Sequence, residues 1–403
     1  MNYPEAIDWL FARQLFGIKL GLDATHHLLK DCSAYPASSM TVIHVAGTNG
    51  KGSTCAMIDS IVRASGQSCG LFTSPHLIDF RERIKVGGDE ISEEFCAAML
   101  TDLQVICERM ETSPTFFEIT LVLAMRWFIH CECQVIVLET GMGGRLDATT
   151  AVPADVCVIT PIGIDHTPWL GNTLEEIAFE KAGIFVSGKP AISAPQKSEI
   201  NDVLRKIAAE KKVPLSFIDQ PLLDYPISLM GEHQQWNAAL AVAALNSSGL
   251  TFTREHVRQG LSQISWPGRF EIIQPGVILD GAHNPQSAEI LAATWQQTFP
   301  AQQAALIFSA VDGKDIPGIL EFLAPLASRI FFCPVNSARA ITAHELSKSL
   351  PANSPPYEIF DTFQKAFAAA ATQQNPILIA GSLFLIGEAR AFLTDRKFQS
   401  SSQ

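Results

Sequence analysis

Hydrophobic positions along the chain fall into two alternating kinds of run. Short β-branched runs, MTVIHVAG (40–47), CGLFTSP, CQVIVLETG and DVCVITPIG, read as buried strands, each ending in a Gly- or Pro-bearing turn. Between them lie longer runs with apolar residues at helical spacing: Lys51 to about Ala64, then ISEEFCAAMLTDLQVICERM and PTFFEITLVLAMRWFIHCE, these two with acids near their starts. Strand and helix in alternation predict a parallel sheet covered on both faces, with ligands bound beyond the carboxyl ends of the strands. A helix after SEIN (198–201) and an Ala-rich one within 232–249 lead to a break at SWPGRF (265–270). Beyond the break the pattern restarts, with GVILDGAHN, AALIFSA, RIFFCPV, YEIF and PILIAGS each followed by a helix.

Length agrees with this division, since 403 residues exceed one ordinary core. The composition, 47% hydrophobic and 17% charged with no low-complexity tract, is that of a globular chain. A formal charge of −12 without clustered Lys or Arg argues against nucleic acid or an anionic membrane as the main partner. No apolar run reaches the roughly 18 residues needed to span a bilayer. MNYPEAIDWLFARQLFG mixes acids with its apolar residues and does not read as a signal peptide. The nine cysteines lie mostly in apolar segments, and Cys131 and Cys133 lack the spacing of a zinc site. Reduced, buried thiols in a cytoplasmic, monomeric protein are the expectation.

The unusual residues gather at the predicted strand ends. HVAGTNGKGSTCAM nearly matches the phosphate loop G-x-x-x-x-G-K-[ST], but Val45 stands where the first glycine belongs and Gly52 where the hydroxyl belongs. Gly47-Thr48-Asn49-Gly50 followed by Lys51-Gly52-Ser53 still places backbone N–H groups, a helix start and a lysine around one anion, which predicts a nucleoside triphosphate. A triphosphate requires Mg²⁺, which favours a few hard oxygen ligands. Glu139 closes a buried strand, where an acid needs a partner: a metal, a helix terminus or Arg145. His166 and Ser74, also at strand ends, read either as ligands or as structural residues. Lys181 lies among Glu175, Glu176 and Glu180, which taken alone describes a solvated charged face. In the second unit, LDGAHN sets Asp280, His283 and Asn284 after a strand, and Arg269 at the break either reaches a phosphate or ties the domains together.

Six ordered motifs, GTNGKGS, TSPHLIDFRERI, ETGMGGRLDATT, GIDHTPWLGNTLEEIAFEKAGI, WPGRF and LDGAHNP, resemble the folylpolyglutamate synthase and dihydrofolate synthase branch of the Mur ligases. The resemblance implies an α/β chain of two domains. Residues 1–267 would form a P-loop-type parallel or mixed sheet binding ATP and pterin, and residues 268–403 a smaller Rossmann-like glutamate ligase domain. It implies an ATP-dependent ligase that adds L-glutamate to dihydropteroate, to folate glutamates or to both, through an acyl phosphate. The alternatives are a Mur-type ligase for another carboxylate and a nucleotide-binding protein without turnover. By the same resemblance, Thr48, Asn49, Gly50, Lys51, Gly52 and Ser53 cradle ATP, with Asn237, Arg269 and Asp280 also touching it. Ser74, Glu139 and His166 hold Mg²⁺, and Lys181 is carbamylated to bind a second ion, which reverses the solvated-face reading. His283 lies near the reacting phosphate. Lys19, Leu20, Gly21 and Leu22, with Phe116, Phe117, Glu118, Leu146, Asp147 and Ala148, wall the pterin pocket. The chain departs from the family pattern at Met142 and Thr150, and it lacks a Glu-Arg pair after Gly21-Leu22.

Overall fold

The structure, a computed structural model, describes residues 1–16 and 21–399. Lys19 and Leu20, placed above in the pterin pocket, lie outside the described residues.

The first sheet comprises β1 (Thr41–Ala46), β2 (Cys69–Phe72), β3 (Ile84–Val86), β4 (Asp89–Glu90), β5 (Val135–Glu139), β6 (Val156–Ile159), β7 (Ala191–Ser193) and β8 (Leu215–Phe217), in the order β4-β3-β2-β5-β1-β6-β7-β8. Strands β2 to β8 in that order run parallel, whereas β3 and β4 turn back antiparallel at the edge. The sheet is therefore mixed, because TSPHLIDFRERIKVGGDE returns as a hairpin with Gly87 and Gly88 at positive φ instead of crossing over through a helix. Side chains of the central strands alternate between two cores. Val42 and Ala46 of β1 join Ile136 and Leu138 of β5 on one face; Ile43 and Val45 join Val135 and Val137 on the other. Helices Glu93–Cys107 and Phe116–His130 cover the first face, and Lys51–Ala64, His233–Ser247 and Arg254–Gln263 cover the second.

The second sheet comprises β9 (Glu271–Gln274), β10 (Val277–Leu279), β11 (Ala304–Phe308), β12 (Ala327–Phe332), β13 (Tyr357–Ile359) and β14 (Ile377–Ala380), in the order β13-β12-β11-β14-β10-β9. All its pairs are parallel except β10 with β9, a short strand the hydrophobic pattern did not announce. The two units interlock. Leu77 and Ile78, from the loop after β2, lie within the core of the second domain beside Leu385 and Ile386. Among the described residues no helix is long and apolar enough to cross a membrane.

Register positions the functional edge. Phe72 pairs with Leu138 and Val45 with Glu139, so the ends of β2, β5 and β1 bring Thr73-Ser74, Glu139 and Gly47 side by side. Helix Lys51–Ala64, which leads from this edge, is held from behind by helix Arg254–Gln263. They meet so closely that a Cβ on Gly260 would lie 2.6 Å from the Ile61 Cα. Gly260→Ala is expected to destabilise the first domain by about 1–3 kcal/mol through overpacking, seen as a lower urea midpoint.

Candidate active site

At the end of β1 the chain turns through Gly47 (φ 148°), where a Cβ would lie 1.9 Å from Thr160 Oγ1. The N–H groups of Thr48 and Asn49 both donate to the Pro161 carbonyl (3.0 and 3.2 Å), and Thr48 Oγ1 donates to Gly163 O while accepting from Gly163 N–H (3.0 Å each). These bonds lash the loop to the chain following β6. The N–H groups of Thr48 and Asn49, expected in the anion cradle, are thus already spent, and the open donors begin two residues after Thr48, with the N–H groups of Gly50, Lys51, Gly52 and Ser53. Gly50 (φ 88°) caps helix Lys51–Ala64 without any side chain on those donors, and as the first four N–H groups of the helix they have no acceptor within it. Asn237 packs against Gly50, whose Cβ would lie 2.6 Å from Asn237 Oδ1, and Trp266 packs in the same way over Gly52. Gly50 is held to glycine by its φ as well as by Asn237, while a Cβ on Gly52 would press tightly on the Trp266 ring.

Lys51 Nζ donates to Gly47 O (3.1 Å) and Thr48 O (3.2 Å). Lys181 Nζ donates to the same Gly47 oxygen at 2.7 Å. Far from a solvated face, Lys181 is only 4% exposed. Burial, then the charge of Lys51, pushes its amine down to about 7. The glutamates near it in sequence point elsewhere: Glu176 completes a capping box with Thr173, and Glu180 pairs with Arg145 at 2.9 Å. Arg145 is therefore not the partner of Glu139. That carboxylate, buried at the end of β5, accepts from Ser74 N–H at 3.1 Å. Burial raises its pKa, opposed first by Lys51, then by the Ser74 N–H, Arg269 and Arg83. His166 (φ 54°) is exposed at the cleft, its N–H donating to Asp165 Oδ1 at 2.8 Å. Among the described residues no three His, Cys, Asp or Glu side chains gather as a closed metal site. A buried carboxylate, a hydroxyl and an imidazole at an open edge instead fit an ion that completes its shell with phosphate oxygens and water.

The second domain adds the opposite wall. Asp280 accepts from Phe270 N–H and Ala282 N–H (2.8 Å each), fixing the turn that carries Arg269, whose Nη1 donates to Gly268 O. His283 Nδ1 bonds Gly281 O at 2.8 Å, leaving Nε2 toward Asp165 at 3.6 Å. The amide of Asn49 is spent between domains: it donates to Gln286 Oε1 (2.9 Å) and accepts from Asn284 Nδ2 (3.0 Å). Lys314 of the second domain, not singled out from the sequence, donates to Asp165 Oδ1 at 2.6 Å. Its position just past a strand end, in SAVDGKD, was the available signal.

The pterin-side residues divide. Phe116 is buried among Phe11, Phe80 and the Arg83 guanidinium. Glu118 closes a capping box with Thr115 and accepts from Thr25 Oγ1 at 3.0 Å. Asp147 accepts from Met142 N–H and Thr149 N–H, and Ala148 is buried. These four belong to the framework, while Phe117, Leu146, Gly21 and Leu22 retain exposed surface. Phe117 stacks tightly enough on Gly141 that a Cβ there would lie 2.6 Å from its ring.

The chain is similar to known proteins over most of its length. Residues 45–220 match the Mur ligase middle domain and residues 268–383 the Mur ligase glutamate ligase domain. A dihydrofolate synthase/folylpolyglutamate synthase of Bacillus subtilis is 35% identical, covering 96% of this chain and 98% of its own. One from Escherichia coli is 35% identical over 88% of this chain and 87% of its own. Escherichia coli FolC in complex with DHPP and ADP superposes with a TM-score of 0.88 at 33% identity, covering 97% of this chain and 98% of that one. A bifunctional synthase of Yersinia pestis with AMPPNP and Mn gives 0.88 at 30% identity, covering 98% of each chain.

Because the Lys181 amine falls to about 7 from an ordinary 10.5, the folded chain binds fewer protons than the unfolded one between those values. Stability should rise with pH across that window and gain nothing from this group below it. Lys181→Met should remove that rise, as measured by unfolding both proteins in carbonate-free buffer between about pH 6.5 and 9.5.

Proposed function

Since the chain belongs to the dihydrofolate synthase/folylpolyglutamate synthase family of Mur ligases, we propose that it joins L-glutamate to dihydropteroate, to tetrahydrofolate glutamates or to both, driven by ATP. The observation that carries this reading is the meeting of Lys51, Glu139 and Lys181 with His283 and Arg269 of the second domain around one helix start left open for phosphate.

The pterin carboxylate attacks the γ-phosphorus of ATP, forming an acyl phosphate and releasing ADP. The amine of glutamate then attacks the acyl carbon; the new amide forms as phosphate leaves. The N–H groups of residues 50–53 and Lys51 hold the phosphate oxygens in line, which is most of what phosphoryl transfer demands of a protein. Glu139, Ser74 and His166 would hold Mg²⁺, which supplies charge neutralisation at those oxygens when bound. Lys181, with its amine about half free of protons near neutrality, offers the form that reacts with CO₂; the carbamate would carry a carboxylate able to hold a second ion. Arg269 and His283 approach from the second domain, whose closure keeps water from the acyl phosphate. Phe117, Leu146 and the Gly21-Leu22 turn supply the pterin contacts. The free state of all nine cysteines and the lack of a spanning helix among the described residues support a cytoplasmic setting.

ADP release measured with dihydropteroate and tetrahydrofolate separately, each with and without L-glutamate, should depend on both a pterin and glutamate. Silence with both pterins would sink the reading, and release with a different carboxylate would favour another Mur-type ligase. Lys51→Ala and Glu139→Gln should each lower turnover by about 10²–10³ or more, as loss of preorganised charge at a phosphoryl group does.

A further inference from the structure

Asp165 is one of the points where the second domain is fastened to the first. Its Oδ1 accepts from Lys314 Nζ at 2.6 Å and from the His166 N–H at 2.8 Å; its Oδ2 faces His283 Nε2 at 3.6 Å and Asn284 Nδ2 at 3.4 Å. Three of these groups come from the second domain, 118 to 149 residues away in sequence as the numbering gives it. The side chains of Asp165 and Lys314 are 8% and 10% exposed, so their attraction is little screened by solvent. Asn284 extends the contact to the phosphate loop, bonding Asn49 in both directions, and Gln286 adds a further bond to Asn49.

With both its oxygens engaged, Asp165 is poorly suited to take a proton from a substrate. We propose that Asp165 is a positioning residue, a latch that closes the second domain over the phosphate loop and thereby sets Lys314, His283 and Asn284 in place for the ligase reaction. This role rests on the function proposed above.

The test separates the two. Small-angle scattering and hydrogen exchange of residues 281–287, recorded on ligand-free protein, need no turnover. Asp165→Asn should increase the maximum dimension and speed exchange in that segment. In the ADP-release assay its kcat/KM for glutamate should fall about a hundredfold, the scale of a misplaced reacting group. The loss should fall on kcat and on the KM for glutamate more than on the KM for ATP, which loses contacts from the second domain but keeps the N–H groups and Lys51 of the first. Lys314→Gln, which removes the ion pair from the other side, should show the same opening with about a tenfold loss, that of one hydrogen bond to a charged group, and it carries the test should D165N not fold. A variant as compact and as protected as the wild type overturns the latch whatever its activity, and an opened variant with undiminished turnover overturns the positioning role. Absence of activity in the wild type would refute the ligase reading while leaving the scattering result to stand.

Discussion

Two ammonium groups share one carbonyl oxygen at the end of β1, and the rest of the cleft depends on that crowding. Lys51 and Lys181 both donate to Gly47 O, and the only residue that can present that oxygen there is glycine, since a Cβ would collide with Thr160. Like charges close together at low exposure cost several kcal/mol unless one gives up its proton. Lys181, the more deeply buried, is the one displaced toward the neutral form. The same local excess of positive charge offsets the cost of burying Glu139 and makes the open helix start more attractive to phosphate.

Around this centre the two domains supply different things. The first provides a fixed floor: strand ends in register, a loop lashed to Pro161 and Gly163, and a helix whose first N–H groups no side chain has taken. The second provides groups that arrive from across the chain, mounted on turns pinned by their own hydrogen bonds, as Asp280 pins the turn bearing Arg269. A floor that binds and a wall that completes the site suit a reaction whose intermediate must be kept from water.

Much of this was legible in the sequence, where local chemistry determined it. The β1 run and the following helix lie where periodicity put them, because a continuous apolar run ending in Gly-Thr-Asn-Gly allows little else. The open N-terminus of that helix follows from the same glycines. What stayed hidden was set by long-range packing. The hairpin of β3 and β4, the short β7 and β8, and β9 carry too few residues for a period to register. Lys181 looked solvent-facing because the partners of its neighbouring glutamates, Arg145 and Thr173, could not be known from spacing. Glu118 shows the converse: expected by resemblance in the pterin wall, it closes a capping box with Thr115 at the start of its helix. Asp165 and Lys314 each stood at a strand end, yet nothing local said that they meet.

The insertion of Leu77 into the second domain bears on how separable the two halves are. Gly387, on helix Leu383–Leu393, sits so close to the Leu77 carbonyl that a Cβ would lie 2.1 Å from it, and Gly268 approaches the Leu77 side chain from the hinge. By sheet and core the halves are modules, of the kind that recombination between relatives could exchange. Yet the segment from Ser74 to Ile78 is built by one module and shaped by the other. A chimera joined at the hinge would inherit a mismatched fit unless Leu77, Gly268 and Gly387 travelled together, so the unit of inheritance here is larger than the domain.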